Sequence, residues 1–468
     1  MMLYVATYLV LAVIFVMLVT LTHKLPNLVR TAHEEGEEQR HDQLALFQGL
    51  VYTAMIAVAI AAVALTWLLV QNTPWEGHLT EWLNLVVRLM HITFGIAWIG
   101  ASFYFVFLEN ALNRTKDLRK ELAGNLWAVH GGGFYYLEKY KVAPKTIPKE
   151  LHWFKYEAYF TWLSGFCLLA IVYYFNAKAF LIDKSVMDLS PMAAISIGVS
   201  SFLVAWLLYH LLCKTPLVKK GPVFGLIGLL IATGFAYFYS HVFSGRAAYI
   251  HFGAMLGTLM VGNVFFIIIP AQKAMVNAAK KGLPLDPSLG KFAGLRSLHN
   301  NYLTLPVLFV MISNHFPSTF GHSQPWLVLA IMTVGTAGVK HWLNLREKGQ
   351  LNVWVLPVSA LILLGAAFMT APVKDATACK GTVTMAEVQA IVQKRCQQCH
   401  SSKPTDDVFT APPNGVVYET PADIVKLKDK IYQRVVVTKN MPQGNKTGMT
   451  DEERNAIRCW FENGAPEK

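Results

Sequence analysis

The sequence predicts an all-α protein, in which a polytopic transmembrane helical part is followed by a small soluble helical domain. Three observations lead to this fold class. Hydrophobic residues make up 54% of the 468 residues and charged residues only 15%, whereas ordinary soluble proteins carry about 25% charged residues. The apolar residues are gathered into long runs. These runs end near Thr370, and the residues that follow have the composition of a soluble domain.

The apolar runs have close to the roughly 20 residues that an α-helix needs to cross a bilayer. We interpret them as eight to ten spans. The ten candidates are residues 2–22, 46–70, 85–108, 156–176, 191–213, 222–243, 247–270, 299–316, 325–343 and 353–371. The eighth and ninth are the weakest, because Pro306, Asn314 and His315 interrupt or border them. Two domains are expected, residues 1–372 and 373–468.

The basic residues predict the orientation of these spans. With ten spans and an outside N-terminus, the outside loops hold only Lys178, Lys184 and Arg246, and the inside loops hold many more lysines and arginines. Loops rich in Lys and Arg stay in the cytoplasm. The C-terminal domain is therefore expected in the periplasm, outside a bacterial inner membrane. The net charge of +12 follows from this topology and does not indicate a nucleic-acid partner.

The soluble part contains the motif Cys396-Gln397-Gln398-Cys399-His400, a C-x-x-C-H signature for covalent attachment of heme c. Two thiols one helical turn apart can reach the two vinyl groups of a heme, and the adjacent imidazole can then bind the iron. A zinc site is disfavoured because this domain has no second closely spaced pair of thiol or imidazole ligands. The two remaining cysteines of the domain, Cys379 and Cys459, are predicted to form a disulfide in this oxidising compartment.

Helix-capping signals around the motif predict three helices, as in a small cytochrome c. The capping residues are Thr384 with Glu387, Thr420-Pro421, and Thr450 with Glu453, the last helix closing at Asn463-Gly464. A sixth iron ligand is expected between the second and third helices. Met441 is favoured over Met449, which lies too close to the third helix, and Met–His ligation raises the potential of the heme.

Histidines in the apolar runs are functional candidates, because ionisable groups are costly inside a bilayer. His91 and His251 fall toward the outer ends of their spans and are the main candidates for binding heme b. Gly95 and Gly100 would permit close approach of a macrocycle or a helix, and Arg88 could pair with a propionate. The alternative is that these are hydrogen-bonded structural histidines, and the sequence does not decide between the two.

The long loop between residues 110 and 155 contains His130 followed by three glycines and by aromatic residues. Loops of this length are usually functional or disordered. Glycines with free N–H groups beside an imidazole suit a planar, anionic, nitrogen-rich ligand. The alternative is a flexible amphipathic loop, since the strand–turn–helix context of a phosphate-binding loop is missing.

The order of these parts, the segment from His91 to Gly100, the His130 glycine loop and Asn440-Met441-Pro442 together resemble one family. It is the bacterial membrane-bound, cytochrome-linked urate oxidase (urate hydroxylase) family, whose members usually have about eight spans. The resemblance implies oxidation of urate to 5-hydroxyisourate. It also implies that electrons leave through cytochrome c to a respiratory acceptor, such as a soluble cytochrome c or a terminal oxidase, without forming peroxide.

On this reading His130 is the first candidate to contact or deprotonate urate, because imidazole titrates near neutral pH. His152 and His299 are second candidates. An inner substrate site and an outer heme c require conduction across the bilayer, which is a further reason to expect a membrane cofactor.

The alternative function is a non-catalytic cytochrome b–c subunit that transfers electrons for a quinol or another dehydrogenase. A heme–copper oxidase is excluded, since no span holds an adjacent pair of histidines.

Overall fold

The computed structural model describes residues 2–35, 37–71, 73–144, 146–148, 150–371, 379, 382–409 and 411–467. Its packing divides the chain into two compact units, Met1–Trp82 and Leu83–Lys468. The expected domain boundary between residues 372 and 373 lies outside the described residues. The fold is mostly helical, as predicted, with sixteen α-helices in the part of the chain that the structure describes.

The first unit contains two long apolar helices that pack against each other, α1 (Met2–Glu34) and α2 (Glu38–Val70). The helix α3 (Pro74–Ala111) begins in this unit and continues into the second. Many apolar side chains of α1 and α2 are exposed, Leu9 and Val63 among them. Exposed apolar helices of this length suit contact with lipid.

The second unit begins with nine further helices up to residue 371, which we call the central helices together with α3. They are α4 (Tyr156–Leu169), α5 (Pro191–Leu212), α6 (Gly221–Ser240), α7 (Gly245–Gly262), α8 (Ile269–Lys280), α9 (Pro287–Ser313), α10 (Pro317–Phe320), α11 (Pro325–Glu347) and α12 (Val355–Met369). Three of them begin at a side-chain cap, where Ser190, Ser244 or Asp286 accepts a backbone N–H bond. Segments of π-helix follow α4 and α7, at Ala170–Tyr174, Ala177–Leu181 and Asn263–Ile268.

Eight helical segments of the described chain, rather than ten, are long and apolar enough to cross a membrane. The predicted span 299–316 lies in α9, which carries too many polar residues, and the predicted span 353–371 corresponds to α12, an apolar helix of 15 residues. The count of eight lies within the expected range of eight to ten, and these two candidates do not have the length and composition of the other eight. In α9 the reason is a row of polar side chains that face other helices instead of lipid.

The expectation of an all-α fold is also wrong at one place, where the long loop forms an antiparallel hairpin of β1 (Leu122–His130) and β2 (Gly133–Tyr140). Gly131 and Gly132 form the turn with φ of 58° and 78°. Two successive positive φ values are the geometry of a type I′ turn, which glycine adopts without strain. The glycines singled out in the sequence thus serve as a hairpin turn.

The core of the central helices lies around α7, which is buried along most of its length. Tyr239, Phe243 and Tyr249 have no exposed surface, and Phe252 and Met255 have 1%. Helices α5, α6 and α9 pack around α7, and α11 packs against α6, α9 and α12. Aromatic side chains therefore fill the interior at the level where α5, α6 and α7 meet.

The C-terminal region (residues 382–467) has its own core of buried side chains, which includes Val388, Val392, Ile424, Ile457 and Trp460. Its helices are α13 (Met385–Arg395), α14 (Pro421–Lys426), α15 (Lys428–Ile431) and α16 (Asp451–Glu462), with a π-helical segment at Tyr432–Val437. The three predicted capping residues are confirmed, because Thr384, Thr420 and Thr450 each cap a helix with a reciprocal side-chain bond.

The predicted disulfide is also confirmed, since Cys379 and Cys459 are bonded with their Cα atoms 5.5 Å apart. It joins residue 379, which precedes the C-terminal region, to α16 at a sequence separation of 80 residues. Closing a loop of this length restricts the unfolded chain and thereby stabilises the fold.

Candidate functional sites

The C-x-x-C-H motif lies at the end of α13, where Cys396 is the C-cap residue. The N–H of His400 donates to the carbonyl of Cys396 at 2.9 Å, which makes a compact turn of the motif. The Nδ1 atom of His400 lies 3.0 Å from the carbonyl oxygen of Val416. This bond assigns the ring proton to Nδ1 and leaves the lone pair of Nε2 free for a metal.

Two methionines lie near the same core. Met441 is half-buried at its edge, with its N–H donating to the carbonyl of Arg434 at 3.1 Å and its carbonyl accepting from Arg454 at 2.7 Å. Met449 is 4% exposed and lies within the core. Met441 therefore has the more accessible thioether, and its role as the sixth ligand stays a prediction.

The residues of the motif fit a covalent heme. Both thiols, Cys396 and Cys399, are free of disulfide bonds, and one imidazole nitrogen has no protein partner in the part of the chain that the structure describes. No group of three or more His, Cys, Asp or Glu side chains could hold a metal ion among the described residues. A heme brings four of its own nitrogen ligands, so the protein needs to add only axial ligands.

The loop that follows the motif is held in place by backbone hydrogen bonds and by ion pairs. The N–H groups of Thr405 and Asp406 donate to the carbonyl of Gln398, at 3.0 and 3.1 Å. The ammonium of Lys446 binds Asp406 at 2.6 Å and also binds Asp407. Burial raises the pKa of Asp406, but the bond from Lys446 and two backbone N–H bonds outweigh burial, so this pKa lies below its usual value. The loop is thus tied both to the motif and to the segment that follows Met441.

A second group of polar side chains lies among the central helices, and we call it the α9 polar cluster. Its members are Tyr209, His210, Asn263, Arg296, His299 and Asn300. Arg296 is fully buried. Its Nη1 donates to Oδ1 of Asn263 at 3.1 Å, and its guanidinium carbon lies 4.8 Å from the ring centroid of Tyr209.

Hydrogen bonds join the other members of the cluster. The amide of Asn263 donates to Tyr209 at 2.9 Å and to Asn300 at 2.8 Å. The hydroxyl of Tyr209 lies 2.9 Å from Nδ1 of His299, and the His299 ring stacks on Phe224 with centroids 4.8 Å apart. His299, predicted from the sequence, therefore lies between a hydroxyl and an aromatic ring.

The cluster carries a buried positive charge without a carboxylate partner. No described carboxylate forms an ion pair with Arg296, and its Nε atom has no hydrogen-bond partner. On α11, Lys340 is also fully buried, its Nζ is unpartnered and lies 3.4 Å from the ring centroid of Phe103. Leaving a buried polar group unpaired costs about 1–3 kcal/mol, and a charged group costs more. Arg296 and Lys340 are therefore candidates for a functional role.

His251 is fully buried in a cage of rings. Its Nδ1 lies 2.9 Å from the carbonyl of Ala247 and its Nε2 lies 3.3 Å from the hydroxyl of Tyr174. The Phe243 ring centroid is 4.6 Å from that of His251. A Cβ atom at Gly198 would stand only 2.8 Å from Nε2, so only glycine fits there.

His91 is held in a similar way against α4. Its Nδ1 lies 3.0 Å from the carbonyl of Thr161, and a Cβ atom at Gly165 would stand 2.8 Å from its Cε1. The glycines that permit close packing are thus Gly165 and Gly198. At Gly95 the nearest atom to an added Cβ is 3.9 Å away, and at Gly100 none lies within 4 Å.

The contacts of these two histidines lie on successive helical segments. His91 meets Gly165 of α4, and His251 meets Tyr174 of the π-helical segment that follows α4. The roles of His91 and His251 as ligands of heme b stay predictions. Arg88, the predicted propionate partner, donates to Asn84 at 2.9 Å.

The remaining predicted site residues are exposed. His130 ends β1 at the hairpin turn, where it is paired with Gly133. The ring of His152 packs against Phe154 with centroids 4.5 Å apart. Its neighbours Leu151 and Trp153 line an open pocket of about 480 Å³ together with Lys155, Lys273 and Lys280. The roles of His130 and His152 stay predictions.

The sequence of this chain was compared with models of known protein families. The model of the urate oxidase N-terminal family matches residues 77–371, which is more than half of the chain. The chain belongs to the urate oxidase N-terminal family. No curated protein and no solved structure matches it.

The region shared with the urate oxidase N-terminal family contains the hairpin, His91, His251 and the whole α9 polar cluster, and it ends before Cys396. Sequence reasoning identified His299 but missed Arg296, Asn263 and Asn300. A signal was present, because Arg296, Asn300 and Thr304 recur every four residues and so share one face of a helix. This row of polar residues indicates a site only together with Tyr209 on α5 and Asn263 after α7, which lie beside it in the fold.

Proposed function

We propose that this member of the urate oxidase N-terminal family is a membrane-bound, cytochrome c-linked urate oxidase. Urate and one water yield 5-hydroxyisourate, two protons and two electrons. The observation that carries the proposal is the buried guanidinium of Arg296, which lies in the family-matched region without a carboxylate partner. Urate is a planar acid that is an anion at neutral pH, so it supplies the missing negative charge.

The other members of the α9 polar cluster suit the rest of the urate molecule. The side-chain amides of Asn263 and Asn300 can donate to and accept from the N–H and C=O groups at the edge of a purine. The face of Phe224, on which His299 now stacks, can receive a flat ring. His299, held by the hydroxyl of Tyr209, is the proposed base and would take a proton from urate as electrons are withdrawn.

The electrons are proposed to pass to a heme c that Cys396 and Cys399 would hold, with His400 and Met441 available to bind its iron. When bound, heme c accepts one electron at a time, which lets a two-electron oxidation proceed without oxygen and without peroxide. A soluble cytochrome c or a terminal oxidase would then accept these electrons. The bond between His400 and Val416 supports this role, because it orients Nε2 for the iron.

The proposed location is the bacterial inner membrane, with several passes and a periplasmic C-terminal region. It is supported by the eight long apolar helices and by the excess of lysine and arginine in the loops predicted to face inward. Membrane lipid would cover the exposed apolar side chains of the long helices.

Anaerobic turnover tests the function. Membranes that contain the protein should consume urate only when oxidised cytochrome c is added, and should reduce two cytochromes for each urate without peroxide. Peroxide formation, or no loss of urate, would contradict the proposal.

Substitution of Arg296 tests the site. Arg296→Gln should raise the KM for urate by about 30-fold or more, since removal of one partner of a buried charge pair costs about 2–5 kcal/mol and each 1.4 kcal/mol is about tenfold. The matched control is Arg346→Gln, which removes the same charge from the exposed last turn of α11 and should leave the KM unchanged. A wild-type KM in Arg296→Gln would show that urate does not bind at Arg296.

The three candidate histidines can be separated by the same assay. His299→Gln should lower kcat by about 100-fold or more, the usual worth of a general base. If His130→Gln or His152→Gln keeps wild-type urate kinetics, that residue has no role in the reaction.

A further inference from the structure

The C-terminal region packs against one end of the central helices through the loops around the heme motif. The ammonium of Lys178 lies 3.7 Å from the carboxylate of Asp407, and the rings of Phe180 and Phe409 have centroids 6.0 Å apart. Asp407 and Phe409 belong to the loop that is hydrogen-bonded to Gln398 between the two heme cysteines.

The loop of Met441 meets the same end. A Cβ atom at Gly321 would stand 2.5 Å from the carbonyl oxygen of Thr438, and one at Gly444 would stand 2.8 Å from that of Ile182. Glycine thus lets the two backbones touch on either side of Met441. The segments that supply the proposed heme ligands both face the central helices.

The α9 polar cluster lies toward the opposite end of the same helices. Arg296 and Ser313 are seventeen residues apart on α9, which corresponds to about 25 Å at the helical rise. Ser313 lies near α10, at the end that contacts the C-terminal region. Electron tunnelling falls exponentially with distance, so a single step over this length is slow.

A row of aromatic rings leads inward from the contact. The ring centroids of Phe180 and Tyr173 are 6.3 Å apart, those of Tyr173 and His251 are 6.5 Å apart, and those of His251 and Phe202 are 5.8 Å apart. The guanidinium of Arg246 lies 5.6 Å from the Phe180 centroid and 6.0 Å from that of Tyr173. Such cation–π contacts help to fix the two rings in place.

The row continues along α5 to the α9 polar cluster. Phe202 and Trp206 are one helical turn apart on this helix, so their side chains are neighbours. Trp206 lies 6.1 Å from Tyr209 and Tyr209 lies 6.0 Å from His299, measured between ring centroids. The rings therefore connect the proposed urate site with the loop beside the heme motif.

We infer that these rings form the path by which electrons cross the central helices, and that they enter the C-terminal region between Phe180 and Phe409. The inference rests on the proposed function for the identity of the electron donor. One electron moves at a time and reduces heme iron from Fe(III) to Fe(II), with no bond formed or broken along the path. Only electrons move along the rings. The two protons released from urate and water are left at the α9 polar cluster, because electron transfer between rings needs no proton.

The path can be tested without urate by flash photolysis of the heme-loaded full chain. Cys167 is an exposed free thiol on α4, next to Phe166, whose ring lies 6.5 Å from that of Tyr174, itself 5.8 Å from His251. A ruthenium polypyridyl label on Cys167 would inject electrons there. Phe180→Leu and Phe409→Leu keep apolar volume but remove a ring, and each should slow heme reduction by about tenfold or more.

Three matched variants separate conduction from docking. Phe409→Tyr keeps a ring and should keep the wild-type rate. Phe175→Leu removes an exposed ring that makes no described ring contact and should have no effect. Lys178→Ala removes an exposed ion pair, which is worth little, and should also have no effect. A redox titration should give the same heme potential in all variants.

Wild-type rates in both leucine variants would overturn the path, as would slow transfer in Phe409→Tyr or a rate loss in Lys178→Ala equal to that in Phe409→Leu. The function is judged separately. Flash-driven reduction that depends on the rings, in a protein that urate does not reduce, would support the path and contradict urate oxidation. Heme reduction by urate at the wild-type rate in the leucine variants would support urate oxidation and contradict the path.

Discussion

At the scale of single residues, Glu453 joins two stabilising features of the C-terminal region. Its carboxylate caps α16 through the N–H of Thr450 at 2.9 Å and pairs with Nε of Arg395 at 2.8 Å. Burial raises the pKa of Glu453, but the bonds from Arg395 and Thr450 outweigh burial and hold this pKa below its usual value. The ionised form is therefore the one that stabilises the fold.

Substitution of Glu453 should separate its two roles. Glu453→Gln keeps the capping box, since glutamine serves there too, and loses the ion pair. Glu453→Ala loses both and should cost about 0.5–2 kcal/mol more, the usual worth of a cap. Hydrogen exchange of the α16 amides measures the difference. Equal protection in the two variants would mean that the cap contributes nothing.

The pH dependence of the same variants has a defined sign. Because folding lowers the pKa of Glu453, its ionised form contributes fully above the unfolded-state pKa of about 4.3. That contribution is lost as the pH falls through the lower folded-state value. Wild-type α16 should lose protection on acidification below that range, and Glu453→Gln should lose less.

The two methionines differ in what their loss should cause. Met441→Ala should abolish the weak absorption band of Met-to-ferric-heme ligation and leave the fold intact. Met449→Ala empties a core position, which typically costs about 2–5 kcal/mol, and should keep the band in whatever protein folds. An unchanged band in Met441→Ala would exclude Met441 as the ligand.

At the scale of elements, the contact between α3 and α4 depends on the absence of a side chain at Gly165. Gly165→Ala would press a methyl group against the imidazole of His91 and should cost about 1–3 kcal/mol, as overpacking usually does. The double variant His91→Ala with Gly165→Ala should recover part of that loss. Thermal unfolding in detergent measures both.

The control for this pair is Gly100→Ala on α3, where no atom lies within 4 Å of the added Cβ. Alanine is the better helix former by about 1 kcal/mol, so this variant should be at least as stable as the wild type. If Gly165→Ala is equally harmless, then α3 and α4 do not pack as closely as the structure indicates.

The hairpin shows why an element can be missed. Alternation in β1 and β2 is weak, because aromatic residues occupy both faces and many are exposed, such as Trp127, Phe134 and Tyr135. The glycines that drew attention as a ligand loop are instead required by the turn. The sequence pattern could not distinguish a glycine-rich ligand loop from a glycine hairpin turn, because both use the backbone freedom of glycine.

At the scale of the whole molecule, the arrangement predicts how many kinds of heme the protein holds. Both ring nitrogens of His251 have protein partners, since Nδ1 lies 2.9 Å from the carbonyl of Ala247 and Nε2 lies 3.3 Å from the hydroxyl of Tyr174, and the ring path offers conduction without a further cofactor. Acidified-acetone extraction should therefore leave all heme on the polypeptide as heme c. Extractable heme b would show that the intramembrane histidines bind a macrocycle and that conduction does not rely on rings alone.

The local part of the protein was predictable from sequence. Contiguous residues carry the C-x-x-C-H motif, the three capping boxes and most apolar spans, and local chemistry decides each of them. The disulfide followed from elimination, because only Cys379 and Cys459 remained in the C-terminal region. Hydropathy alone was least informative at α9, where the polar side chains that lower it are the ones that build the polar cluster.

The sequence by itself determined the helical class, the C-x-x-C-H motif and the helix ends around it, because these depend on neighbours within a few residues. Only the tertiary structure decided which of the histidines lies beside Arg296, and that a row of rings leads to the C-terminal region. Those contacts join residues such as Tyr209 and His299, or Phe180 and Phe409, that are far apart in the chain. They exist only after burial of the apolar helices has fixed how the helices pack, and no local pattern encodes that packing.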